Sequence, residues 1–308
     1  MADTPTVPYT GTTPGQRRVI AIGEILLCSS VPTQIALSVL LGLIGLMPEG
    51  DDGRLSLPFV LILSLGDTLI LVALMVALTR AHGDSLRALW LGDRPVAREA
   101  LVGAMLVPLV FFAVVVLLNL LRLLAPWLHN VPTNPFEQLA ATPAEAMVLA
   151  VVAIVAGGVR EELQRAFLLQ RFVRHLGGRA VGVAVLSIAF GAGHYMQGWD
   201  AVVTTGLLGA FWAVLYLRRG SSVAPIVSHA GFNGLEVLRV AIFGADLKSA
   251  RISRWVRPKA KCSSAPESAK RNNNTAPSVH APKMSPSTRR QVPSRSTACL
   301  GAPPCSIR

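Results

Sequence analysis

Three short groups of polar residues interrupt otherwise apolar runs of the chain. The first is Val159-Arg160-Glu161-Glu162-Leu163-Gln164-Arg165. The second is Phe190-Gly191-Ala192-Gly193-His194, and the third is Ser228-His229-Ala230-Gly231-Phe232-Asn233. Two carboxylates, two imidazoles and a carboxamide inside a dry environment make a hydrolytic set. Glutamate can take a proton from water as general base. Histidine can stabilise developing negative charge or ligate a metal, and an asparagine amide can donate to an oxyanion or orient an imidazole. On a helix, Glu161 and Arg165 stand four apart, so one face can carry an ion pair between them, while Glu162 points about 100° away. His229 and Asn233 are also four apart and project from one face. The small residues Gly191, Ala192 and Gly193 beside His194 allow close backbone approach.

The elements that position these groups are membrane helices. Of 308 residues, 52% are hydrophobic and 15% charged, with a mean hydropathy of +0.50. Soluble domains carry about 25% charge, so a water-soluble enzyme and a wholly disordered chain are both excluded. Seven apolar stretches approach the roughly 20 residues a spanning helix needs. They are Ile20–Met47, Leu57–Leu78, Ala100–Ala125, Ala144–Phe172, Ala180–His194, Ala201–Leu217 and Ser222–Phe243. The expected fold is an all-α, polytopic transmembrane bundle of about seven to eight spans. At about 1.5 Å rise per residue, Glu161, His194 and His229 lie about 16, 21 and 10 Å from the ends of their helices at residues 172, 180 and 222. All three depths fall within an apolar core of about 30 Å. Ionisable residues at such depth are costly and read first as functional.

Charge places the ends. Residues 1–250 hold 17 Lys and Arg against 16 acids, whereas residues 251–308 hold 12 against the single Glu267. The basicity belongs to a tail, which argues against a folded nucleic-acid-binding surface. Arginines concentrate in the loops after the second, fourth and sixth spans, so the positive-inside rule puts the N-terminus in the cytoplasm of a multi-pass cell-membrane protein. The divisions expected are a polar segment 1–19, N-terminal membrane helices 20–126, a catalytic bundle 143–245 and a disordered basic tail 256–308, whose Ser/Pro/Asn/Lys/Arg composition cannot bury a core. The four cysteines show no paired spacing, so neither a disulfide framework nor a cysteine metal site is indicated. Among the remaining polar residues, Asp67, Asn119 and Glu236 read as helix-to-helix hydrogen bonds, Glu236 also being placed to support Asn233. Glu24 reads as solvated near the cytoplasmic face, and Trp127, Trp199 and Trp212 as interfacial anchors.

At the three polar groups the chain resembles the CPBP intramembrane proteases, which include CAAX prenyl endopeptidases and bacteriocin-processing or immunity proteins. That family's pattern is Glu-Glu with a following Arg, then Phe-x-x-x-His, then His-x-x-x-Asn or Asp. Glu161-Glu162 with Arg165, Phe190 to His194, and His229 to Asn233 follow it in order over about residues 145–240, with Arg165 four rather than five places after the first Glu. The resemblance implies that Glu161 activates water with Glu162 and Arg165 in support, and that His194, His229 and Asn233 bind the water, a metal or the oxyanion. It implies one divalent zinc-type ion on Glu161, His194 and His229, with a metal-free mechanism equally compatible with the residues. The implied function is hydrolysis of a peptide bond in a membrane-associated, CAAX-type prenylated protein or peptide, within the lipid bilayer and without nucleic acid. The alternatives are a non-enzymatic immunity or scaffold protein and a proton-coupled transporter, the latter weakened by the lack of an internal repeat.

Overall fold

The computed structural model describes residues 12–50, 53–132 and 134–255. The basic tail 256–308 and most of the polar segment at the N-terminus lie outside the described residues. Ten α-helices run through the rest, and no strand forms among the described residues. They are α1 (Pro14–Leu27), α2 (Val31–Leu43), α3 (Leu57–Ala81), α4 (Leu86–Trp90), α5 (Val96–Leu124), α6 (Pro143–Val152), α7 (Glu161–His175), α8 (Gly178–Ala192), α9 (Trp199–Arg219) and α10 (Val223–Trp255). Local chemistry starts several of them. Thr13 with Gln16 and Thr142 with Glu145 form reciprocal capping boxes at α1 and α6, each followed by proline at the first helical turn, where the missing amide costs nothing.

Among the described residues, five segments are long and apolar enough to cross a membrane: Pro14–Leu43, Leu57–Ala81, Val96–Leu124, Trp199–Arg219 and Val223–Phe243. The other two expected spans are built differently. The α8 helix has only 15 residues, and the fourth stretch carries Arg160, Glu161, Glu162, Arg165 and Arg171. That fourth stretch is also not one regular helix. Between α6 and α7 it passes through a π-helical turn, Ala153–Arg160, a wider winding that inserts into α-helices and is frequent at functional sites. Its Gly157 and Gly158 lie against α10. A Cβ on Gly158 would come within 2.5 Å of Ala230 Cα and Cβ, and one on Gly157 within 2.6 Å of Asn233 Nδ2. Glycine there lets two backbones close to a distance no side chain would permit.

The first expected span is also interrupted. The chain leaves α1 at Cys28 and re-enters helix at Val31, with Ser30 at φ +71°. It is the only non-glycine residue at positive φ among the described residues, a conformation costing about 1–3 kcal/mol that persists where surrounding contacts over-determine it. Asp67 of α3 accepts from Thr33 and Gln34 of α2, the helix-to-helix bond expected of it. Two other expectations are corrected. Glu24 is buried rather than solvated, because α1 lies along α7 and its carboxylate accepts from Arg171 Nε at 2.7 Å and contacts His82. Asn119 donates to Val115 O in its own helix and so links no neighbour.

The core between α3, α7 and α9 includes Leu71, Met75, Phe167, Leu169 and Ala213, all fully buried. Large apolar side chains on α5, including Leu101, Met105, Leu109 and Phe112, remain outward and exposed, as a lipid-facing surface requires.

Candidate active site

Four helices meet around the predicted residues. The π-turn ends at Arg160, so α7 begins with Glu161 and Glu162 at the point where the winding tightens. These adjacent carboxylates receive opposite surroundings. Glu162 is 2% exposed. Arg165 Nε lies 3.2 and 3.1 Å from its two oxygens, and Arg165 Nη2 lies 3.1 Å from Oε1. His229 Nδ1 is 2.8 Å from Oε1. Glu161 has a more open position, with its side chain 20% exposed and Oε2 3.9 Å from His229 Nε2. The expected Glu161–Arg165 pair is therefore corrected: Arg165 pairs with Glu162 at i, i+3, because the bundle interior lies on Glu162's side of α7.

The His229 imidazole sits between both carboxylates and is clamped by aromatic rings. Trp212 of α9 stacks on it with centroids 3.7 Å apart and planes 16° from parallel. Phe190 of α8 meets it edge-on at 6.0 Å. Arg165 then lies over the Phe190 ring at 4.5 Å, a cation on the negative face of the ring. This stack depends on Gly209, where a Cβ would lie 2.9 Å from Phe190 Cδ1. Trp212 is 1% exposed and its Nε1 reaches Ser228 Oγ at 3.4 Å. The expectation that it anchors at the membrane interface is thus corrected, whereas Trp127 and Trp199 are exposed. Sequence reasoning missed the role of Trp212. Its position midway along α9 rather than near either end was the available signal, since interfacial tryptophans belong at the ends of spans.

Hydrogen bonds define how the remaining groups are presented. His194 follows the end of α8, and its Nδ1 donates to Phe190 O at 2.8 Å. His229 Nδ1 faces a carboxylate, which fixes the same tautomer in the neutral ring. Both imidazoles therefore leave Nε2 for other partners. Asn233 donates to Ala153 O in the π-turn at 3.0 Å, leaving one amide hydrogen and the carbonyl oxygen. Phe190, His194, Trp212, His229 and Asn233 line a cavity of about 330 Å³, completed by α5 and by the 129–137 segment. Glu161 is not among its lining side chains and meets it through His229. Glu236 does line it, and pairs with Arg239, which also reaches Glu137.

These positions coincide with a recognisable family. Residues 143–235 match the family model described as Rce1-like, type II CAAX prenyl endopeptidase. Over these residues the chain is similar to the CPBP intramembrane proteases. Within the matched residues fall Glu161, Glu162, His194, His229 and Asn233, together with Arg165, Phe190 and Trp212, whereas Glu137 and Glu236 lie outside them. The match points to a protease acting on membrane-associated substrates. No curated protein and no solved structure matches the chain.

A divalent metal was one expectation for this site. A tetrahedral centre needs at least three protein ligands converging within about 2.3 Å of one point. No group of three or more His, Cys, Asp or Glu side chains is so arranged among the described residues. As placed here, Glu161, His194 and His229 are not among such a group, while the Nδ1 bonds of His194 to Phe190 O and of His229 to Glu162 orient each ring as a metal-ligating imidazole is oriented.

Proposed function

We propose that the chain is an intramembrane endopeptidase that hydrolyses a peptide bond near the C-terminus of a prenylated, CAAX-type substrate, using water activated by Glu161. The observation that carries this reading is the His229 imidazole held between two carboxylates of unlike environment, one saturated and one available.

Glu162 is saturated by Arg165 and His229, so it orients rather than reacts. It fixes the His229 ring and leaves Nε2 toward Glu161. Glu161 is the carboxylate free to accept a proton, its side chain being 20% exposed. Water held beside Glu161 and His229 Nε2 attacks the scissile carbonyl carbon, and its proton passes to Glu161. Negative charge then develops on the carbonyl oxygen, where the remaining Asn233 amide hydrogen can donate to it. Collapse of the tetrahedral species breaks the C–N bond, and Glu161 returns its proton to the leaving amine. One water is consumed for each peptide bond broken. The cavity beside the imidazoles, at about 330 Å³, is at the small end of the range for ligand sites. It suits a short peptide segment rather than a folded domain.

The test uses detergent-solubilised full-length protein and an internally quenched peptide carrying farnesyl-cysteine followed by three residues. Glu161→Gln and His229→Ala are expected to abolish cleavage while membrane insertion is retained. Full activity in either variant overturns the reading.

A further inference from the structure

The break between α1 and α2 lies far from the reacting groups in sequence, yet it grips the helix that carries them. Ser30 Oγ accepts from Arg160 Nη1 and from Gln164 Nε2, both at 3.1 Å. Cys28 O accepts from the same Gln164 amide at 2.6 Å. Arg160 Nη1 also donates to Gln164 Oε1 at 3.0 Å, and Arg160 Nη2 lies 3.5 Å from Asp67 Oδ2. Asp67 is fully buried, and Ser30 and Arg160 are each 8% exposed. Arg160 and Gln164 stand one place before and three places after Glu161, on a face of the helix that meets α1, α2 and α3.

A network of this size is unusual for a place where packing alone would serve. Burying an arginine beside an aspartate and holding serine at φ +71° both cost stability. What it touches explains the expense. Arg160 is the last residue of the π-turn, and the end of that turn sets the rotation of everything after it. One residue more or less of π-winding turns Glu161 and Glu162 by roughly 20° about the helix axis, enough to move a glutamate carboxylate by more than about 1 Å. On the opposite side, Gly157 and Gly158 pack directly on α10, and Asn233 bonds Ala153 O at the start of the π-turn. The contacts at the end of the turn, beside Arg160, come from the outer face.

We infer that Ser30, Asp67, Arg160 and Gln164 form a positioning clamp that fixes where the π-turn ends, and so aims Glu161 at His229. The inference rests on the reading of Glu161 as the base. None of the four touches the reacting atoms. Ser30 is the informative member, because its positive φ places the Cys28 carbonyl and its own hydroxyl together against Arg160 and Gln164.

The experiment compares kcat, KM and melting midpoint for Ser30→Gly, Asp67→Asn, Asp67→Glu and Glu161→Gln in the full chain, with the farnesyl-cysteine peptide as probe. Ser30→Gly removes the hydroxyl while glycine adopts positive φ without penalty, so stability is expected to hold. A misplacement of about 1 Å costs about 10²-fold. Ser30→Gly and Asp67→Asn are therefore expected to lower kcat between about tenfold and 10²-fold with KM within about twofold, and Asp67→Glu to recover part of the loss. A fall in kcat that merely tracks lowered melting, or that appears in KM instead, overturns the clamp in favour of ordinary packing. Unchanged kcat in both variants beside an inactive Glu161→Gln overturns the clamp and leaves the base in place. An active Glu161→Gln removes the base, and the clamp with it.

Discussion

Replacing Glu162 by glutamine separates the two carboxylates by their consequences. Glu162 and Arg165 are 2% and 5% exposed and share three N–O contacts of 3.1–3.2 Å. Glutamine keeps the shape but removes the charge, leaving the Arg165 cation buried without its partner. Removing one member of a buried pair costs about 3–5 kcal/mol. The His229 Nδ1 contact at 2.8 Å is disturbed as well, because a glutamine amide can present a donor where a carboxylate can only accept. Loss of that orientation should lower kcat by about 10²–10⁴-fold, or about 3–5 kcal/mol of barrier. Glu161→Gln should show the kcat loss alone, since its neighbour at 3.9 Å is too distant to make a strong pair. The assay is an SDS unfolding titration run beside cleavage kinetics for both variants. A Glu162→Gln protein as stable as the parent, or a Glu161→Gln protein destabilised equally, would refute the division of roles.

Three further outcomes follow from the same geometry. Trp212→Ala removes the ring stacked on His229 and should cost about 3–5 kcal/mol in unfolding titrations, with cleavage lost, whereas Trp212→Phe keeps a ring and should retain measurable activity. Gly158→Val places a Cβ within 2.5 Å of Ala230. It should destabilise the bundle by about 1–3 kcal/mol or more, read as a lowered melting midpoint. Exhaustive chelation should leave cleavage intact. Loss of activity on chelation with recovery on adding zinc, checked by metal analysis, would assign an ion to Glu161, His194 and His229.

Much of this protein was legible in one dimension because membranes impose simple rules. A backbone with no water to bond must be helical, so apolar length alone located α3, α5, α9 and α10. The cost of burying charge singled out Glu161, Glu162, His194 and His229 in advance. Helical periodicity then suggested partners, and there it failed at Arg165. Spacing shows that Arg165 can reach either carboxylate, one at i−4 and one at i−3. Only the direction of the bundle interior selects Glu162. Glu24 was misread for a related reason: hydropathy records a charge near a helix end, and not the Arg171 that meets it from a segment 147 residues away.

The amino-acid sequence by itself determined the all-helical membrane fold and the chemical inventory of the site, since both depend on the solubility and ionisation of individual residues. Tertiary structure decided what each of those residues does. Trp212 became a support for His229 rather than an interfacial anchor, Glu162 became the saturated carboxylate, and Ser30 came to rest against Arg160. Those outcomes depend on where α9, α10 and the α1–α2 break lie in space, and contacts across such distances leave no periodic trace along the chain.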